Sequence, residues 1–282
     1  MRVLVTGATG FVGRHVVSSL IASGHSVIAV ARDIKRAREM RWPSAVHFVA
    51  CDIHCTDLDV VALFGPVDAL IHLAWPGLPD YRSLSHFENT LGADYRFLKS
   101  LVLSGCRHVL VAGTCLEYGL QEGCLNEDMA AQPTTPYGIA KDCLRRFLEV
   151  FRKEVPFTLQ WARLFYMYGP GQNSKSLLSQ LELALLSGDD KFPMSWGEQL
   201  RDYLPVEHVA ADLVNLLGHV ELDGVVNICS GKPISVRRLV EEFIISKGAK
   251  IELELGHYRY PDYEPMAFWG DRSKYQKVDF NE

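Results

Sequence analysis

Eight residues near the N-terminus, Thr6-Gly7-Ala8-Thr9-Gly10-Phe11-Val12-Gly13, constrain this chain more than any other stretch. They stand between Arg2–Thr6, which reads as a buried strand, and Phe11–Ser23, where Val12, Val16, Leu20 and Ile21 follow helical spacing. Strand, glycine turn and helix in that order make a βα unit. Glycines at such a turn let the backbone approach a pyrophosphate, and the helix N-terminus adds free N–H groups and the positive end of its dipole. The alternative is an ordinary tight turn, but three glycines exceed what a turn needs.

The same alternation continues. Ser26–Val30, Val46–Ala50, Asp68–Leu73 and His108–Ala112 read as further strands, with a mostly helical stretch over Leu84–Ser104. Thr135 is a suitable N-cap, and Pro136 suits the first helical position of another helix. Phe157–Leu164 closes this half as a sixth strand. Strands alternating with helices predict an α/β fold with a parallel sheet covered on both faces, which agrees with apolar runs such as VLVT and ALIHL. After about Tyr166 the text is punctuated by Gly, Pro, Tyr, Trp and Arg, and reads as a smaller, loop-rich C-terminal lobe. Val206–His219 (helix) and Val225–Ile228 (strand) return to the main sheet. The expected division is 1–165 with 205–229 as one domain, and 166–204 with 230–282 as the lobe.

Composition excludes several classes. A formal charge of −5 over 282 residues argues against a nucleic-acid scaffold. No apolar run approaches the roughly 20 residues needed to span a bilayer. The glycines near the N-terminus interrupt what a signal peptide would need as an unbroken apolar region. Seven cysteines, with no CxxC pair, read as reduced thiols of a cytoplasmic protein. Cys51, Cys55, His47 and His54 lack a zinc-site spacing, and no metal is expected.

The glycine spacing is G-x-x-G-x-x-G, and here the chain resembles the extended short-chain dehydrogenase/reductases, the NAD(P)-dependent nucleotide-sugar epimerase/dehydratase family. The resemblance runs over almost the whole chain. It implies a Rossmann-type doubly wound sheet, with Gly7, Gly10, Phe11, Val12 and Gly13 against the cofactor. Asp52-Ile53 matches the adenine-contacting pair. Leu73-Ala74-Trp75 matches the loop that passes along the cofactor, with Trp75 where a small residue is usual. Asn89 matches a helix asparagine near the active site. The second strand ends in Ala31-Arg32-Asp33, not in the acidic residue that binds a ribose 2′-hydroxyl in NAD-preferring members. Arg32, together with Arg14 after the last glycine, can pair with a 2′-phosphate. NADP(H) is therefore favoured, with NAD(H) the alternative because Asp33 follows one or two places late.

Tyr137-Gly-Ile-Ala-Lys141 carries the chemistry. On a helix, i and i+4 share a face. Free tyrosine has a pKa of about 10, and an ammonium and an oxidised nicotinamide nearby are expected to lower it. By resemblance, Lys141 also bonds the nicotinamide ribose, and Thr114, from the Thr-x-x-x-Tyr-Gly segment 114–119, holds the substrate carbonyl. Sugar 4,6-dehydratases resemble Thr-Asp-Glu where this chain has Thr114-Cys115-Leu116, so the acid/base pair for dehydration is missing. Glu117 comes one place too late for that role and would point elsewhere; it is kept as a substrate candidate.

Further on, Arg163-Leu-Phe-Tyr166-Met-Tyr168-Gly-Pro resembles R-x-x-N-x-Y-G-P, with Tyr166 replacing the asparagine. Arg201-Asp-Tyr-Leu-Pro-Val-Glu-His-Val-Ala resembles RDFxxVxDVA, and Arg259 sits where relatives place a diphosphate-binding arginine. Tyr166, Arg201 and Arg259 are substrate candidates; an ion pair with Asp202 or Asp262 is the alternative for the two arginines. The usual end helix after Gly270-Asp-Arg-Ser-Lys274 is expected to be missing or truncated. The resemblance implies a nucleotide-sugar substrate, a homodimer, and NADP(H)-dependent reduction of a 4-keto-6-deoxyhexose. The rivals are a 4-epimerase that retains its cofactor, a reductase of non-sugar carbonyls, and a non-catalytic NADP sensor.

Overall fold

The computed structural model describes residues 1–279. The first half alternates as expected: β1 (Arg2–Thr6), α1 (Phe11–Ala22), β2 (Ser26–Ala31), α2 (Ile34–Glu39), β3 (Val46–Ala50), α3 (Val60–Phe64), β4 (Ala69–His72), α4 (Leu91–Leu103) and β5 (His108–Thr114). There follow β6 (Gly123–Leu125), α5 (Pro136–Glu154), β7 (Thr158–Leu164), β8 (Tyr166–Tyr168), α6 (Leu177–Ser187), β9 (Lys191–Pro193), β10 (Leu200–Pro205) and α7 (Val206–Gly218). The chain ends with β11 (Gly224–Ile228), β12 (Pro233–Ser235), α8 (Val236–Ser246), β13 (Glu252–Glu254), β14 (Phe268–Gly270) and α9 (Ser273–Asp279).

Seven strands form one parallel sheet in the order β3-β2-β1-β4-β5-β7-β11. Both faces are covered. Val3, Val5, Ala29 and Ile71 pack with Val16, Val17 and Leu20 of α1 and Leu213 and Leu217 of α7. Leu4, Ile28, Leu70 and Val109 pack with Phe97 and Leu98 of α4 and Leu144 and Leu148 of α5. Strands buried on both faces must be apolar almost throughout, which is why their sequences do not alternate. Fully burying each such side chain stabilises the fold by about 1.5–3 kcal/mol.

The strand order reverses between β1 and β4, and that switch point leaves a crevice at the carboxyl ends of the strands. The structure also extends β5 to Thr114, two residues past the expected end. The helical stretch expected from Leu84 opens with a single π-helical turn, His86–Thr90. The end helix is present as the short α9, whose Tyr275 is 1 % exposed in the main core.

Beyond β7 lies a third apolar cluster, in which Leu178 and Leu181 of α6 meet Phe192, Met194, Leu239 and Val240. A three-stranded sheet, β12-β10-β8, joins this part to the crevice. No helix among the described residues is long and apolar enough to cross a membrane.

Candidate active site

A cleft of about 1200 Å³ runs along the carboxyl ends of the strands, from Arg32 and Asp52 past Thr114 and Tyr137 to Tyr166 and Glu264. Gly7, Gly10, Phe11, Val12 and Gly13 form one wall. Gly7 has φ +67°, and a Cβ there would lie 2.9 Å from the Ala74 nitrogen; a Cβ on Gly13 would lie 2.2 Å from the Gly7 carbonyl. Close packing of the turn against β4 and α1 therefore demands glycine at these places. Gly10 caps α1 without a side-chain hydrogen bond, and the first turn carries no acidic residue. Free N–H groups at the positive end of a 12-residue helix thus face the cleft, which fits the pyrophosphate of a dinucleotide.

At one end Asp52, Ile53, Arg32, Asp33 and Arg36 line the cleft. Asp33 is engaged as the N-cap of α2, accepting from the Arg36 amide at 3.0 Å. Arg14 does not line the cleft itself. It lies under Gly171, donating to the Gly10 carbonyl at 3.3 Å, and burial together with nearby Arg36 lowers its pKa. Three arginines therefore gather at this end with few carboxylates to balance them.

The 73–75 loop is held from below. Leu73 and Ala74 amides donate to Thr6 Oγ1 at 3.2 and 3.3 Å, and Thr6 Oγ1 meets His72 Nδ1 at 2.9 Å. Behind His72 stands Asp94, fully buried, 3.4 Å from His72 Nε2 and 2.8 Å from His54 Nε2. Burial opposes its ionisation, but His72, His54 and Lys141 outweigh burial and hold the carboxyl down at about 2. The Asp94 hydrogen bond raises the His54 pKa in return. Sequence reasoning missed this chain of groups. Its one signal was an aspartate on the apolar face of α4, beside Ala93, Phe97 and Leu98.

Thr114 at the end of β5 meets Tyr137 and Lys141 of α5 in the cleft. Thr135 caps α5 by accepting from the Gly138 amide at 3.1 Å, and the Tyr137 amide donates to the Tyr81 carbonyl at 3.1 Å, so the first turn is fixed. The Thr114 side chain favours ionisation of the Tyr137 phenol. Its ring is boxed by His86 at 5.3 Å, Tyr81 at 5.6 Å and Trp75 at 5.9 Å between centroids. Lys141 Nζ donates to the Ala112 carbonyl at 2.8 Å and lies 3.9 Å from the Trp75 ring centroid. Trp75 N–H donates to His86 Nδ1 at 3.1 Å, which leaves His86 Nε2–H to donate to the Asp80 carbonyl at 2.7 Å. Trp75 is thus a wall of the cleft, and His86 is a second residue the sequence reading did not single out.

In the chain by itself, burial dominates the Tyr137 phenol. Burial, then Tyr81, Glu117 and Cys115, push Tyr137 well above 10, and Thr114 opposes them. The Lys141 ammonium is itself destabilised by burial, its pKa lowered to about 8. The protein alone therefore keeps Tyr137 as a neutral proton donor.

Two candidates are corrected. Glu117 is fully buried and faces away from the cleft. It accepts from the Thr114 amide and Trp161 Nε1, both at 2.9 Å, and from Arg163 Nε at 2.8 Å. Once inside, a carboxylate needs such partners, and Arg163 is its counter-ion. Asn89 is exposed and outside the cleft, because the π-helical turn brings His86 inward and leaves Asn89 toward solvent. In the lobe, Tyr166 lines the cleft. Arg201 lies in an adjoining pocket of about 290 Å³ with Arg259 and is 2 % exposed. Neither arginine takes the ion pair considered for it. Arg201 pairs with Glu264 at 3.0 Å, Asp262 pairs with Arg82, and Asp202 accepts from the backbone amides of Ser230 and Gly231.

Comparison with known proteins agrees with this geometry. The profile of the NAD dependent epimerase/dehydratase family matches residues 3–229. The chain is 32 % identical over 272 residues to dTDP-6-deoxy-L-talose 4-dehydrogenase (NAD(+)) of Aggregatibacter actinomycetemcomitans, covering 96 % of this chain and 99 % of that protein. It is 24 % identical to GDP-6-deoxy-D-talose 4-dehydrogenase of the same organism, over 99 % of this chain and 91 % of that one. Among solved structures, MoeE5 in complex with UDP-glucose and NAD superposes with a TM-score of 0.82 at 29 % identity, covering 99 % of this chain and 92 % of that one. The chain belongs to the NAD dependent epimerase/dehydratase family, among the extended short-chain dehydrogenase/reductases.

Proposed function

We propose that this chain interconverts the 4-keto and 4-hydroxy forms of a nucleotide-linked 6-deoxyhexose, working as an NADP(H)-dependent 4-ketoreductase. It is an NAD(P)-dependent oxidoreductase of nucleotide sugars by family and by its full-length relatives. The observation that carries the finer reading is the Thr114–Tyr137–Lys141 grouping beside the uncapped α1 N-terminus. A bound reduced nicotinamide supplies the hydride. Thr114 orients the substrate carbonyl, and Tyr137 gives its phenolic proton to the oxygen that becomes negative. Lys141 sits on the same helix face, one turn away, as the cation that stabilises the phenolate left behind. A 4-dehydrogenase, as the 32 % identical relative is named, carries out the same reaction in the opposite direction.

Arg32 and Arg36 line the cleft and support NADP(H), since a 2′-phosphate would balance their charge and one Asp33 oxygen is already held by its helix; Arg14 adds its charge from behind them. The relative named for NAD(+) makes NAD(H) the competing choice. Dehydration is disfavoured because Cys115 and Leu116 line the cleft where an acid/base pair would be needed, and Glu117 is turned into the core. The exposed Phe147 and Val150 of α5 and Leu103 of α4 support a homodimer through these helices, which light scattering of the purified chain tests.

The function is tested by loss of absorbance at the reduced-nicotinamide band, with NADPH or NADH and a panel of dTDP-, UDP- and GDP-linked 4-keto-6-deoxysugars, beside Tyr137→Phe. Stoichiometric oxidation of NADPH that the variant abolishes supports the proposal. Epimerised sugar with no net oxidation would replace it by the 4-epimerase reading.

A further inference from the structure

Glu264 stands where two cavities meet. It lines the main cleft together with Thr114, Tyr137 and Tyr166, and it also lines the side pocket that holds Arg201. Arg201 lines the side pocket alone. Its Nη1 donates to the carbonyls of Leu200 at 2.8 Å and Met266 at 3.2 Å, and its Nη2 donates to Glu264 Oε2 at 3.0 Å. The other carboxylate oxygen, Oε1, accepts from the Tyr166 hydroxyl. Both oxygens are therefore fixed by this chain's own donors. The glutamate side chain is 11 % exposed and the arginine 3 %, so the pair is shielded from solvent screening.

We infer that Glu264 is a specificity-determining residue that selects nucleotide sugars whose hexose is uncharged on the side facing Tyr166, and rejects those carrying a carboxylate there. The inference rests on the nucleotide-sugar reading above and deepens it. A sugar carboxylate entering from the Thr114–Tyr137 end would face another carboxylate across a partly desolvated space. Arg201 lines only the side pocket and is already held by Glu264; Lys175 is the other cation at the junction, and Lys175→Met, titrated beside the variants below, should leave the selectivity in place. A methyl group meets no such opposition, and a hydroxyl can donate to the remaining lone pairs of Glu264. The Tyr166–Glu264–Arg201 cluster has zero net charge. Replacing the carboxylate by an amide of the same shape turns it to +1 and opens the arginine to an anionic sugar.

The experiment is isothermal titration of the full chain, saturated with NAD⁺ or NADP⁺, with UDP-glucose, dTDP-glucose and their C6-oxidised counterparts, UDP-glucuronic and dTDP-glucuronic acid. The nucleotide and its diphosphate are shared within each pair, so the ratio of dissociation constants isolates the sugar carboxylate. The wild-type chain should bind the neutral sugar several-fold more tightly than its uronate, since the uronate meets the carboxylate end of a neutral ion pair. Glu264→Gln should reduce that ratio to near one or invert it. Tyr166→Phe, which keeps the charge and removes one hydrogen bond, should retain it. Equal binding of both sugars by the wild type, or an unchanged ratio in Glu264→Gln with an unaltered melting temperature, would overturn the inference and leave the nucleotide-sugar reading standing. Failure of both neutral sugars, and of GDP-mannose titrated beside them, to bind overturns that reading and the inference with it. If Glu264→Gln does not fold, the wild-type ratio and Tyr166→Phe still decide.

Discussion

The two ends of the cleft are built from different material. The cofactor end is mostly backbone: a left-handed glycine, close approach of the turn to β4 and α1, and uncapped amides of α1. The end proposed for the sugar is mostly side chain: Tyr166, Glu264 and Arg201, with Arg82 and Asp262 clasped outside them. A backbone site tolerates almost no change in residue type, because a Cβ has nowhere to go. A side-chain site can be rewritten pair by pair while the fold is kept, as Tyr166 in place of the family's usual asparagine illustrates. The chemistry sits between the two ends, where Thr114, Tyr137 and Lys141 come from secondary structure and Trp75 and His86 come from the connection that encloses them.

The largest expected effect falls between the two ends. Tyr137→Phe should lower kcat by about 10³-fold, within the usual range for loss of a positioned proton donor, while the dissociation constant for the cofactor measured by fluorescence stays unchanged. At the backbone end, Gly13→Ala puts a Cβ 2.2 Å from the Gly7 carbonyl. It should cost about 3 kcal/mol of stability by overpacking and remove cofactor binding, as read by chemical denaturation and titration. The equivalent test at the side-chain end, Glu264→Gln, should leave cofactor binding intact; loss of both would erase the distinction between the ends.

Asp94 gives a pH-dependent test beneath the cofactor loop. Its folded-state pKa is depressed from 3.8 to about 2, so its contribution is present above its unfolded pKa and is lost as pH falls through the folded value. The unfolding free energy of the wild type should exceed that of Asp94→Asn by about 2 kcal/mol near neutrality, and the gap should close between about pH 4 and pH 2. His54, whose pKa is raised, contributes in the opposite sense, strongest below its unfolded value and fading as pH rises through its folded one. A pH-independent gap would mean that Asp94 acts only through packing.

Smaller effects sharpen the account at the rims. Arg32→Ala should weaken NADP⁺ by about tenfold or more and leave NAD⁺ nearly unchanged, since a hydrogen bond between charged groups is worth about 1.5–3 kcal/mol. Equal weakening of both cofactors would remove the 2′-phosphate argument. Arg82→Ala breaks an ion pair whose side chains are 62 % and 78 % exposed. Stability should change by less than about 1 kcal/mol in a thermal melt.

The same contrast explains what was legible. The sheet, the crevice and the Thr114–Tyr137–Lys141 grouping follow from local spacing: a glycine turn after a strand, a tyrosine and lysine four apart after a capped helix start. Thr114 and Tyr137 are joined by the strand order, and the βαβ alternation already implies that order. The contacts that were not legible join distant segments through single side chains. Tyr166 and Glu264 are 98 residues apart, and Arg82 and Asp262 are 180 apart. Glu117 was misplaced for a related reason. Its spacing after Thr114 is one place too late for the acid/base position, and the 3₁₀ turn at Cys115–Tyr118 makes it the third residue of a capping box, so Trp161 and Arg163 of β7 receive it in the core. Asn89 was misplaced because a π-helical turn shifts which side chains face inward, and no residue pattern announces it.

The central claim is that this cleft delivers hydride to C4 of a nucleotide-linked sugar. The most direct test is to turn over a nucleotide 4-keto-6-deoxyhexose with NADPH deuterated at the transferable position of its nicotinamide, then locate the label by NMR. The account predicts one deuterium at C4 of the product sugar, with an equivalent of oxidised cofactor released and no label from Tyr137→Phe. Deuterium at another carbon, or an unlabelled product formed with no net oxidation of cofactor, would contradict it.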